Sequence, residues 1–193
     1  MHRRRSIRLK HYDYAQAGAY FVTICTHQRG CLFGAAANGA VRLNEYGCIA
    51  GDAWGELPGH YGYLALDAFV VMPNHVHGIL VLPSDDVPVV GAGFKPAPTK
   101  SDPMTNTPAP AMRRHGLPEI VRAFKTFSAR RVNKIRQTPG VPVWQRGYYE
   151  HIIRDDESLR RIREYIWNNP AQWENDEENP WMVDRDRAEF PGQ

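Results

Sequence analysis

The hydrophobic and polar positions of this chain fall into short apolar runs and a few stretches of helical period. "YFVTICTHQRGCLFG" reads as a strand, a turn at Gln28-Arg29-Gly30 and a short second strand, which the residues around "AVRLN" can extend as a hairpin. Residues 44–57 offer Asn44 as an N-cap, with Ile49, Ala53, Trp54 and Leu57 at helical spacing. "YLALDAFVVMP" and "HVHGILVLP" are two strands, and Pro73-Asn74 between them predicts an antiparallel hairpin. "LPEIVRAFKTFSARRVNKIR" is a helix with Pro118 near its start and a stripe of Ile120, Ala123, Phe124 and Phe127. "VPVWQRGYYEHIIR" reads as a strand, a bend at Gly147 and another strand. "DDESLRRIREYIWNNP" is a helix with acids in its first turn, which suits the macrodipole, and Pro170 ends it. This order predicts an α+β fold, an antiparallel sheet with helices packed on it. A ferredoxin-like βαββαβ core fits, with one helix added at the C-terminal side.

A length of 193 residues suits one domain. Three segments depart from the rest: a basic arm at 1–12, an insertion at 83–116 with seven prolines and few large apolar residues, and an acidic tail at 174–193. Apolar runs are broken well before membrane-spanning length, and no apolar stretch follows the N-terminal arginines, so neither a membrane nor secretion is expected. Cys25, Cys31 and Cys48 have no metal or redox spacing and read as reduced thiols in a cytoplasmic protein. Net charge is only +3. The positive residues nevertheless concentrate in the arm (Arg3, Arg4, Arg5, Arg8, Lys10) and in the helix at 117–136 (Arg122, Lys125, Arg130, Arg131, Lys134). Two basic segments on a near-balanced chain suggest a polyanion followed along a track; either one alone reads as a solvated face.

The stretch "VVMPNHVHGILVL" poses the chemical question. On a strand, His75 and His77 stand side by side on one face. Two charged imidazoles would repel, and two neutral ones need partners if buried. A divalent cation resolves both problems, although an isolated HxH pair is more often structural. The last helix offers a third ligand and a reactive group. Tyr165 and Asn169 are four residues apart and share a face. Asn169 has a hard carboxamide oxygen suited to Mg²⁺ or Mn²⁺, and the phenol of Tyr165 becomes a nucleophile once ionised. Considered alone, that helix reads better as an amphipathic core element with a capping Asn.

Together, "MPNHVHGIL", "FKTFSARRVNK", "VWQRGYYEHIIRD" and "REYIWNNP", in this order, resemble the single-tyrosine HUH transposases, and more closely their REP-associated branch. The resemblance runs from about Arg5 to about Pro180, outside the insertion. It implies His75, His77 and Asn169 as ligands of Mg²⁺ or Mn²⁺, and Tyr165 as the catalytic nucleophile. The implied activity is cleavage and rejoining of single-stranded DNA at REP-like hairpins through a 5′-phosphotyrosine, by a monomer with the tyrosine in cis or by a homodimer. The arm, the basic helix and Arg146 would then follow phosphates. Trp144 and Tyr148 would stack on bases, with core packing the commoner use of such a Trp, and Tyr149 is a further stacking candidate. His151 would orient a ligand or touch phosphate, or be structural. Tyr148 and Tyr149 rival Tyr165 as nucleophiles by residue type, but they lack the YxxxN spacing. A non-cleaving DNA-binding protein of the same fold, or a Zn²⁺ hydrolase using water, are the alternatives.

Within the insertion, "VGAGFKPAPT" (Val90 to Thr99) can be encoded by an inverted repeat: Gly codons are complementary to Pro codons, and Phe TTC abuts Lys AAA. One such coding string begins GTAG and resembles the foot of REP-type elements, which suggests a repeat lodged in the gene and read through. Chance is the competing explanation, because synonymous codons leave freedom.

Overall fold

The structure is a computed structural model that describes residues 12–84, 114–176 and 178–180. The arm residues Arg3, Arg4, Arg5, Arg8 and Lys10, the segment Val90 to Thr99 and most of the acidic tail lie outside the described residues. In chain order the elements are β1 (Gly18–Cys25), β2 (Gly34–Ala37), β3 (Ala40–Leu43), α1 (Glu45–Gly55), α2 (Leu57–His60), β4 (Ala65–Val71), β5 (His75–Leu82), α3 (Leu117–Ile135), β6 (Tyr149–Ile153) and α4 (Asp156–Asn168). Four strands make one antiparallel sheet in the order β4-β5-β1-β6. This is the ferredoxin-like arrangement, with the first and third of its four strands at the centre.

Alternation sorts the strand residues onto two faces. Tyr20, Val22, Ile24, Val76 and Leu80 face α1 and α3 and form the main core with Trp54, Ile120 and Phe124. Phe21, Ile79 and Ile153 face the other way, against Ile166, Ile162 and Leu159 of α4. His75 and His77 share that second face by their odd register. Gly78 between the two layers is required: a Cβ there would run into the Trp54 indole, which stacks on Phe69 at 4.6 Å.

Local chemistry explains the element ends. Asn44 caps α1 through Oδ1, which accepts from the amides of Tyr46 and Gly47 at 3.0 Å each. Asp155 caps α4 by accepting from the Ser158 amide at 2.7 Å. Asn38 and Gly39 have positive φ, 53° and 75°, and turn β2 into β3.

Three expectations need correction. The strand after the Gln28-Arg29-Gly30 turn does not pair with β1; β2 and β3 form their own two-stranded sheet, because a 3-10 turn at His27–Arg29 carries the chain away from β1. The strand before Gly147 reduces to a single bridge between Thr26 and Trp144. In α3 the buried stripe runs through Leu117, Ile120, Val121, Phe124, Ser128 and Val132, while Phe127 is half-buried beside His60, with ring centroids 4.8 Å apart. As expected, the last α-helix stops short of Pro170, at Asn168. Asn169 nonetheless keeps helical angles (φ −57°, ψ −40°), and the chain continues as a 3-10 turn over Asn169–Asn175. Pro170 sits near the start of that turn, where a missing N–H costs nothing.

Candidate metal and tyrosine site

His75 and His77 are buried in β5, with the Nε2 atoms 3.0 Å apart. Each ring is held from behind. Asn74 Nδ2 donates to the carbonyls of Arg29 (3.0 Å) and Glu178 (2.6 Å), which leaves its Oδ1 to accept from His75 Nδ1 at 2.8 Å. That fixes His75 as the tautomer with a bare Nε2 lone pair. His77 Nδ1 lies 2.9 Å from Thr23 Oγ1, a hydroxyl able to donate or accept as the ring requires. Burial pushes the His75 imidazole down to about 4, against an upward pull from Asp176 and Asn169. It is therefore neutral at ordinary pH, as a ligand must be.

Two oxygen donors close on this pair. Asp176, His75 and His77 offer ligand atoms that all lie within 4.8 Å of one another, with Asp176 Oδ2 3.9 Å from His75 Nε2. Asp176 Oδ2 and Asn169 Oδ1 are both buried without a hydrogen-bond partner among the described residues. Orphaned buried oxygens are rare and costly, and beside two converging imidazoles they fit a divalent cation. Asp176 was not singled out in the sequence because it stands in an acidic stretch that reads as solvated tail. The 3-10 turn after α4 is what swings it inward.

Tyr165 comes from the same chain. Its hydroxyl is 3.3 Å from His77 Nε2, its ring sits edge-on to His77 and Phe21 at 5.1 and 6.0 Å, and it is 49% exposed. The helix carrying it is fastened two residues earlier: Arg163 Nε and an Nη donate to the two oxygens of Asp67 on β4, at 2.8 and 2.6 Å. This guanidinium holds the Asp67 carboxyl below its usual range.

The predicted DNA-contacting residues are placed differently. α3 lies against the sheet face opposite the imidazoles, so Arg122, Lys125, Arg130, Arg131 and Lys134 are not beside Tyr165. Arg131 forms a two-pronged pair with Glu56. Lys125 Nζ donates to the carbonyls of Gln145, Arg146 and Gly147 at 2.9, 3.3 and 2.7 Å, so it clips the loop before β6. Arg122, Lys125, Arg146 and Tyr148 line a groove of about 710 Å³ between α3 and the segment 140–148. Trp144 is a core residue: it is 8% exposed, and its Nε1 donates to Ser128 Oγ at 2.9 Å. Exposed His151 pairs across the strands with Phe21. Its anticipated orienting part falls instead to Asn74 and Thr23. No helix among the described residues is long and apolar enough to cross a membrane.

The site thus joins an HxH pair on a central strand to one tyrosine from α4. The chain is 41% identical over 180 residues to an uncharacterized protein of Haemophilus influenzae, covering 92% of this chain and 93% of the relative. It is 26% identical over 162 residues to a "Putative REP-associated tyrosine transposase" of the same organism, covering 83% and 74%. Its fold matches a solved REP-associated tyrosine transposase bound to a REP hairpin, with a TM-score of 0.52, 18% identity and coverage of 99% and 88%. No family model matches the chain. The chain is thus similar in sequence to a protein named as a putative REP-associated tyrosine transposase and shares the fold of a solved one.

Proposed function

We propose that this protein is a metal-dependent nuclease and strand transferase for single-stranded DNA, acting beside REP-like hairpins through Tyr165. The observation that carries the reading is the 3.3 Å approach of the Tyr165 hydroxyl to His77 Nε2 within one chain. The relative named for REP-associated transposition and the fold neighbour bound to a REP hairpin support the substrate class. His75, His77, Asn169 and Asp176 would hold the cation, and their mixed nitrogen and oxygen donors suit Mn²⁺ or Mg²⁺. When bound, it neutralises charge on a phosphodiester oxygen and favours a phenolate nearby.

The chain's own groups do the remainder. The Tyr165 phenol gives up its proton to solvent and its Oη attacks phosphorus in line, the bond from phosphorus to the 3′ oxygen breaks, and that oxygen takes up a proton from solvent. The 5′ phosphate stays on the tyrosine as a diester. A second 3′-hydroxyl can therefore reverse the step and rejoin strands, which hydrolysis by water would prevent. Phe21 packs the His77 and Tyr165 rings into fixed relative positions, and Asp67 anchors the helix, so the nucleophile is oriented before DNA arrives.

The test is cleavage of a 3′-labelled hairpin oligonucleotide in Mn²⁺. The expected result is a covalent protein–DNA adduct that disappears in Tyr165→Phe. Cleavage that survives Tyr165→Phe would point to a water nucleophile. Tight binding without cleavage would leave only a DNA-binding role.

A further inference from the structure

On the sheet face that carries the imidazoles, cross-strand pairing sets Val70, His77, Thr23 and Tyr149 in one row, from β4 through β5 and β1 to β6. Tyr149 is thus two strand spacings from His77, roughly 10 Å between backbones. Its ring meets Phe21 edge-on at 6.2 Å, while Tyr165 meets the same Phe21 at 6.0 Å and His77 stacks on it at 5.4 Å. Phe21 and Thr23 are buried, 7% and 6% exposed, and floor the space between the two tyrosines, which are 41% and 49% exposed. Among the described residues β6 is an edge strand, and nothing described covers the flank of Tyr149 away from β1.

We propose that Tyr149 is a base-binding residue: its ring stacks the nucleobase next to the phosphodiester that Tyr165 attacks. This rests on the nuclease reading above and deepens it. A phosphate seated by His77 and Tyr165 puts the adjoining base about one nucleotide's reach along the row, over Thr23 and against Tyr149. Stacking is tolerant of base identity, so Tyr149 holds the nucleotide in place without reading its sequence. The neighbouring Tyr148 cannot do this, because alternation turns it to the other face, where it lines the groove against α3.

The experiment uses hairpin oligonucleotides with a single-stranded flank carrying 2-aminopurine at one position at a time. Binding is read in Tyr165→Phe protein with Mn²⁺, where no cleavage intervenes. One flank position should be quenched, and the quench should vanish with Tyr149→Thr, which keeps a strand-favouring residue but no ring. Tyr149→Phe should retain it. In the Tyr165 protein, Tyr149→Thr should raise KM roughly ten-fold, in line with the loss of one base stack, with a smaller change in kcat. Equal quench and KM in a folded Tyr149→Thr protein overturns the proposal. Wild-type binding with quench but no cleavage overturns the nuclease reading and leaves the stack standing. No binding at all overturns both.

Discussion

Asn74 decides what its neighbour can do. Its three side-chain hydrogen bonds join the turn at Arg29, the C-terminal segment at Glu178 and the ring of His75. Asn74→Ala should lower Mn²⁺ affinity by about 10- to 100-fold, the range for lost ligand-orienting partners, as titration calorimetry would show. It should also cost about 1–3 kcal/mol of stability through carbonyls left without donors. His75 supplies a pH signature. Its ordinary value is 6.5 and its folded value about 4, so between those limits the unfolded chain holds the extra proton. Metal-free stability should therefore be unaffected by this group above pH 6.5 and fall as pH drops from 6.5 towards 4. His75→Gln should flatten that slope in urea titrations at stepped pH.

At the scale of elements, the tyrosine helix is held to the sheet by a small apolar seam and one ion pair. Asp67→Ala should leave DNA affinity nearly unchanged but slow cleavage about ten-fold or more, since small misplacements of a nucleophile are costly. The swapped pair Asp67→Arg with Arg163→Asp should recover part of the rate, which single-turnover kinetics would detect. Gly78→Ala tests the opposite side of β5. The added methyl meets Trp54 and should destabilise by about 1–3 kcal/mol through overpacking, measured by chemical denaturation. These two elements mark what sequence could reveal. The β4–β5 hairpin was legible because Pro73-Asn74 interrupts two apolar runs, and α4 because Asp155 and its acids announce a start. The ion pair was not legible: nothing in the spacing of Asp67 and Arg163, 96 residues apart, says they meet.

Across the whole molecule, the pieces of the site come from β1, β5, α4 and the turn beyond it. Strand and helix periods put His75 with His77, and Tyr165 with Asn169, on shared faces, and the resemblance of the whole motif set joined the two pairs into one site. Asp176 could not be nominated, because it stands in an acidic stretch and its inward direction depends on the 3-10 turn over Asn169–Asn175. The insertion is the converse case. Arg114 Nη1 donates to the carbonyl of Pro83 at 2.6 Å, and Tyr63 bonds both the amide and the carbonyl of His115, so the two feet of that segment meet over one spot. Replacing residues 85–113 with a short Gly/Ser linker should keep the melting temperature within a few degrees and preserve DNA cleavage.

The short path from Tyr165 to His77 inside a single polypeptide has a consequence for DNA rearrangement. Under the mechanism proposed above, each molecule is tethered to one broken end at a time. Exchanging partners between two ends thus demands either a queue at one phenol, with the freed 3′ terminus waiting nearby, or the meeting of two separately loaded molecules.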